Sequence, residues 1–256
     1  MVKLFNKILE TLAQNNSCVL ATAVSSRGSS PRKQGAKMII YKDASIEGTI
    51  GGGKLEKTVI ADALDALKRK KSVLKIYPLN RKSGLQACGG EISIFLEVLE
   101  PDKKIIIAGA GHIGLALSLI AKLLGFEVVI ADNRRLFANA GRFPHADKII
   151  CAPYEEAFKK TPIDKNTFIV IVTHGCEFDR ESLEAALYTK AGYIGMIGSD
   201  TKIKLVFSAL MKKGFKKDKL ALVHTPVGVD IGAETPEEIA VAIAAEIIQV
   251  SRESEK

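Results

Sequence analysis

Apolar residues keep two rhythms along this chain, and the change falls near Pro101. Before it, Leu4, Phe5, Ile8, Leu9 and Leu12 recur at helical spacing and predict a helix over residues 2–14. Residues 18–24, 37–41 and 46–50 read as extended segments, separated by a polar loop at 25–35 and a turn at 42–45. Leu55, Val59, Ala63 and Leu67 lie one turn apart and form the buried stripe of a helix starting near Lys54. Strands over 72–77 and 91–99 flank a loop at 81–90. This pattern predicts a mixed, mostly antiparallel α+β domain over residues 1–101, with Pro101-Asp102-Lys103 as the linker.

After the linker, strand and helix alternate. Strands are predicted at 105–108, 127–131, 168–173 and 192–196, and helices at 115–124, 179–187 and 201–213, with Asp179 capping the second helix. The last helix has Thr235 as cap, Pro236 at its first position and Glu238 completing a capping box. Its apolar face is Ile239, Ala240, Ile243, Ala244, Ile247 and Ile248. The alternation predicts an α/β fold, a Rossmann-type doubly wound parallel sheet over residues 102–256.

The first strand of that half runs into Gly109-Ala110-Gly111-His112-Ile113-Gly114, the G-x-G-x-x-G spacing in a strand–turn–helix context. The first glycine permits the turn, the second lets a pyrophosphate approach the backbone, and the third lets helix and strand pack closely. The helix start then offers free N–H groups to an anion. Asp132 ends the next strand about 20 residues on, where an acid accepts from a ribose hydroxyl and favours NAD over NADP. Arg134 and Arg135 offset that preference. Loops at the carboxyl ends of strands complete the predicted dinucleotide set: Gly109, Ala110, Gly111, His112, Ile113, Gly114, Asp132, Asn133, Arg134, Thr173, His174, Gly198 and Ser199. His112 either donates to a phosphate or faces solvent, and His174 either meets the ligand or caps the sheet edge. Neither has the partners of a hydrolytic triad.

Two further stretches carry chemistry. Gly51-Gly52-Gly53 precedes a helix and reads as a second anion cradle, with Glu56 in its first turn suiting the dipole or a polar ligand. Arg32 lies in an exposed polar loop, and Cys88 stands beside Gly89 and Gly90, where a neighbouring cation would favour its thiolate. An unreactive loop cysteine explains Cys88 equally well. The stretch 224–232, rich in glycine and without strand period, is either a site or a tight crossover.

Composition narrows the classes. The chain has 256 residues, 47% hydrophobic and 26% charged, enough for two domains with real cores. It has no apolar run long enough for a membrane helix and no signal-peptide pattern, so a cytoplasmic setting is expected. Its four cysteines make no C-x-x-C pair, and Cys18 and Cys151 read as buried. The net charge of +8 comes with 6% aromatics and lysine clusters at helix ends, which argues against nucleic acid but suits an anionic small ligand.

Taken in order, Gly28-Ser29-Ser30-Pro31-Arg32, Gly48-Thr49-Ile50-Gly51-Gly52-Gly53-Lys54-Leu55-Glu56, Cys88-Gly89-Gly90, the glycine motif at 109–114, Asp132-Asn133-Arg134, Arg142-Phe143-Pro144, Thr173-His174-Gly175 and the stretches 193–199 and 226–240 resemble the xanthine dehydrogenase accessory factors of the XdhC/CoxI type. Cys176 departs from the histidine expected at that position in many relatives. The resemblance implies a chaperone that binds molybdenum cofactor, as molybdopterin or a dinucleotide form, between its domains. It protects the cofactor during sulfuration and delivers it to a xanthine dehydrogenase-type hydroxylase, with a cysteine desulfurase as a further partner. It also implies a Rossmann domain able to hold NAD or NADP. The molybdenum-cofactor candidates are Arg32, Gly51, Gly52, Gly53, Glu56, Cys88, Gly89, Gly228 and Asp230, with Cys88 as soft ligand to the metal. A homodimer is the default assembly. The rival expectation is an NAD(P)-dependent oxidoreductase.

Overall fold

Each apolar rhythm builds its own sheet. The computed structural model describes residues 1–27, 34–79 and 90–253 and divides into two units, Met1–Pro101 and Asp102–Ser254. In the first unit, α1 (Val2–Ala13) leads into β1 (Cys18–Arg27), β2 (Lys37–Tyr41), β3 (Ile46–Gly48), α2 (Gly53–Arg69), β4 (Val73–Leu79) and β5 (Gly90–Leu99). The strands form an antiparallel sheet in the order β3-β2-β1-β5-β4. Alternation along β1 sends Val19, Ala21 and Ala23 to the face covered by Leu55, Val59 and Ala63 of α2. Cys18 and Leu20 point the other way, against Ile8 of α1.

The second unit comprises β6 (Lys104–Ala108), α3 (His112–Leu123), β7 (Glu127–Asp132), β8 (Lys148–Cys151), α4 (Tyr154–Lys159), β9 (Thr167–Ile171), α5 (Cys176–Leu187), β10 (Tyr193–Met196), α6 (Asp200–Lys212), α7 (Lys217–Leu220) and α8 (Pro236–Glu253). Its strands are all parallel, in the order β10-β9-β6-β7-β8. Because helices cover both faces, β6 reads as an unbroken apolar run. Ile105 and Ile107 face Leu117 and Ala121 of α3 and Ile243 and Ile247 of α8. Ile106 and Ala108 face α4, α5 and α6 through Phe158, Leu183 and Val206. The fold class is therefore the one the alternation predicts.

Several local expectations are corrected. β1 runs on through Ser25, Ser26 and Arg27 because these residues pair with Ser93, Ile92 and Glu91 of β5, so cross-strand pairing overrides their polar composition. Cys18 is buried, but Cys151 is exposed, at the end of an edge strand with one neighbour. α5 begins at Cys176 rather than Asp179. Ile248 stays 42% exposed, outside the buried stripe of α8. The short α4 and α7 lack the length that makes a helical period visible. Among the described residues, no helix is long and apolar enough to cross a membrane.

Ile107, wholly buried on the central strand, tests this core. Ile107→Ala is expected to lower unfolding free energy by about 3 kcal/mol in urea titration monitored by circular dichroism.

Candidate dinucleotide site

The turn after β6 is shaped by three glycines with different tasks. Gly109 has φ +120°, and a Cβ there would sit 2.3 Å from the Val172 carbonyl oxygen. Gly114, one turn into α3, would place a Cβ 2.0 Å from the Gly109 carbonyl oxygen, so no side chain fits where helix meets strand. Gly111 is different: it caps the helix in extended conformation, and a Cβ there would meet nothing within 4 Å. That open space is what an approaching phosphate requires. The first helical hydrogen bond is Leu115 N–H to the Gly111 carbonyl, at 3.0 Å, so the amides of His112, Ile113 and Gly114 lie ahead of the helical ladder. The first turn of α3 carries no acidic residue to absorb them. His112 is exposed at the helix start, and Ile113 packs against the α3–α8 core.

At the other glycine-rich helix start, an acid of the chain takes the amides that lead into the helix. Glu56, in the first turn of α2, takes the N–H groups of Ile50 at 3.0 Å, Gly51 at 3.3 Å and Gly52 at 2.9 Å on a single carboxylate oxygen, together with the Thr49 hydroxyl. Burial pushes this carboxyl up, but the Thr49 hydroxyl and the three amides outweigh it, and the group titrates below an ordinary glutamate. Of the cradle expected at Gly51, Gly52 and Gly53, the Gly51 and Gly52 amides are thus taken by Glu56, while a Cβ at Gly52 or Gly53 would meet nothing within 4 Å, as at Gly111. Glu56 serves as an internal anion for the turn that leads into its helix. Arg32, Cys88 and Gly89 lie outside the described residues, as does the soft metal ligand expected of Cys88. Among the described residues no cluster of three or more His, Cys, Asp or Glu groups forms a metal site.

Asp132 ends β7 as expected, and its acceptors are engaged from within the chain. It is fully buried, and its two oxygens accept from Ala110 N–H at 2.8 Å, Arg134 N–H at 2.9 Å, Arg134 Nε at 2.9 Å and Arg134 Nη2 at 2.8 Å. Those bonds fill the acceptor positions of a carboxylate. Burial alone would raise its pKa; the Arg134 side chain and the Ala110 and Arg134 amides bring it below the usual aspartate range. The Ala110 amide is therefore spent on Asp132 rather than on phosphate. Arg142 closes the same corner, its Nη2 donating to the Ala110 carbonyl at 3.3 Å. Asn133 is exposed.

At the carboxyl end of β9, the buried Thr173 hydroxyl donates to Asp179 at 2.6 Å. Asp179 is fully buried and ion-paired with Lys202 of α6. Asp179 is thus an interior anchor, not the cap that its position relative to Leu187 suggests. His174 is exposed and stacks on Phe178, ring centroids 4.5 Å apart. Ser199 caps α6, accepting from Lys202 N–H at 3.4 Å. Gly198 lies beside it, a Cβ there meeting the Lys202 stem at 3.3 Å.

Beyond β10, residues 224–232 form one wall of a cavity of about 450 Å³, lined by Ile197, Pro226, Val227, Gly228 and Asp230, with Ile239 and Ala242 of α8 opposite. Glu246 of α8 fixes this wall: it pairs with His224 Nδ1 at 2.6 Å and accepts the Gly228 N–H. Tyr193 packs against His224 at 4.5 Å, and burial, then Glu246, pushes its phenol up. The mostly apolar cavity suits a flat ring. It lies two strands from the glycine turn, roughly 10 Å by strand spacing. Asp230 is exposed at its rim. Sequence pattern missed Lys202 and Glu246, which act across elements. Arg142 stood in a motif without an assigned contact.

A family model described as the XdhC Rossmann domain matches residues 105–247, and one described as the XdhC and CoxI family matches residues 11–78. The chain is 35% identical over 254 residues to the uncharacterized protein YqeB of Escherichia coli (strain K12), covering 97% of this chain and 46% of that protein. It thus spans about half the length of that relative. It is 23% identical over 283 residues to the molybdenum cofactor insertion chaperone PaoD of the same strain, covering 97% of this chain and 88% of PaoD. Among solved structures, a crystal structure of a xanthine dehydrogenase from Bacillus halodurans aligns over 96% of this chain and 95% of that one, with TM-score 0.55 and 25% identity.

The glycines make a paired prediction. Gly114→Ala is expected to cost about 2–3 kcal/mol of stability by forced overpacking, whereas Gly111→Ala keeps the unfolding midpoint and loses nucleotide affinity in calorimetric titration. For Glu56, a depressed folded pKa means a contribution complete above the unfolded value and lost as pH falls through the folded one. Glu56→Gln should therefore cost about 2 kcal/mol at neutral pH and progressively less in acid, read by denaturant titration across pH 2.5–7.

Proposed function

The chain belongs to the XdhC family, and from that footing we propose that it is a maturation factor for a molybdenum hydroxylase of the xanthine dehydrogenase type. Its cargo would be molybdenum cofactor, protected during sulfuration and then delivered to the hydroxylase, with a cysteine desulfurase as sulfur source and a homodimer as the working form. The kinship with PaoD, named as a molybdenum cofactor insertion chaperone, supports this reading.

One observation carries the ligand side of it: the α3 start is sterically open at Gly111 and has no acid of its own, while the amides just ahead of α2 already have Glu56 as their acceptor. The second unit therefore suits a phosphate-bearing ligand. The amides opening α3 would hold the phosphate, with His112 beside them. The cavity at 226–230 would take a flat ring, with Gly228 and Asp230 at its edge. A nicotinamide dinucleotide fits this arrangement, and so does a pterin dinucleotide. Arg32 and Cys88 are the first unit's own candidates for the cargo, the thiolate being a soft ligand suited to its metal.

A second reading, an NAD(P)-dependent oxidoreductase, draws on the Lys202 ammonium held over buried Asp179 at the ends of β9 and β10. In this reading that cation would face an anionic substrate.

Native mass spectrometry of the full chain from a molybdenum-sufficient host should show a bound pterin, reduced in Cys88→Ala, and transferable to a cofactor-free hydroxylase. Protein that carries no pterin and restores no hydroxylase, yet oxidises NAD(P)H with a purine or pterin acceptor, would replace the first reading by the second.

A further inference from the structure

The corner between the glycine turn and the end of β7 is more basic than a nucleotide site reading a free ribose. Asp132 is fully buried and accepts from Ala110 N–H and, through three nitrogens, from Arg134. A ribose hydroxyl would have to displace one of these bonds to reach it. Exposed side-chain surface at this position belongs instead to Arg134, 28% accessible. Its guanidinium lies over the Phe137 ring, 4.0 Å from the centroid. Arg142 approaches the same ring at 5.2 Å. Among the described residues, Arg134 Nη1 has no hydrogen-bond partner, and Arg142 Nε is buried without one. Arg135 is exposed next in the chain.

The charge count is lopsided: one saturated carboxylate against two guanidiniums gathered on one ring, with a third beside them. Asp132 also does mechanical work here. Its bidentate grip holds the Arg134 fork in one plane, and Phe137 supports that plane from below. A preorganised fork with a free edge matches a phosphate, which it can bind through two parallel hydrogen bonds. A diol offers it no charge.

We infer that the end of β7 selects a 2′-phosphorylated ribose over the free diol. Asp132 acts as the positioning residue for Arg134 rather than as the ribose acceptor. The inference rests on the reading that the α3 start seats a nucleotide, and it reverses the preference for NAD that an acid at this position suggests from sequence.

The test is isothermal titration of the full chain with 2′,5′-ADP and 5′-AMP, and then with NADP⁺ and NAD⁺. The 2′-phosphorylated member of each pair is expected to bind at least tenfold tighter. That advantage should shrink with added salt and vanish in Arg134→Gln. Because that variant leaves Asp132 unpaired in the interior, the double variant Asp132→Asn/Arg134→Gln is measured beside it and should likewise bind both members alike. Equal or tighter binding of 5′-AMP and NAD⁺ by the unaltered chain overturns the selectivity while leaving the nucleotide site standing. Binding of none of the four overturns the site, and the selectivity falls with it.

Discussion

The contact on which the second unit depends is the approach of α3 to β6 at Gly114 and Gly109. A carbonyl oxygen occupies the place where a side chain at Gly114 would begin. Helix and strand can lie this close only because both positions are bare. That closeness brings the start of α3 up to the end of the central strand, where the sheet's neighbours β7 and β9 also terminate. The Val172 carbonyl fills the corresponding space beside Gly109. Anchored on two sides, the turn has little freedom, and its amides are aimed before any ligand arrives. Preorganisation of this kind is what lets a backbone bind an anion without a cost in ordering.

The two units show opposite solutions to the same problem. A helix start leaves N–H groups without acceptors. In the first unit, Glu56 supplies an acceptor to the N-cap amide of Gly52 and to the two amides before it, Ile50 and Gly51. In the second, the first turn of α3 has no acid. Glycine content does not separate the two cases. The separating residue is an acid within the first turn whose side chain reaches back to the amides that lead into its helix.

Much of this was legible beforehand. The strand and helix order, the capping box of α8 and the tasks of the three glycines follow from period, spacing and local geometry. Thr235 and Glu238 exchange hydrogen bonds as their spacing predicts. What escaped was long in sequence and short in space. Asp132 stood at the expected place, but nothing local says that Arg134 would fold back on it, or that Arg142 would reach the Ala110 carbonyl. Asp179 looked like a cap because its spacing allows one, and burial against Thr173 and Lys202 decided otherwise. Glu56 was noted for its helix dipole, yet the number of amides it gathers depends on the positive φ of Gly51, Gly52 and Gly53, which sequence permits without prescribing.

The grip of Glu246 on His224 and Gly228 has a consequence for the order of events in folding. The sheet, α3 and the β10 edge are all encoded before α8, yet the far wall of the ring cavity is fastened from α8. A partly formed chain with its strands already paired would therefore present the α3 start with the loop at 224–232 still unmoored. The wall of this cavity is therefore complete only once the last helix has docked.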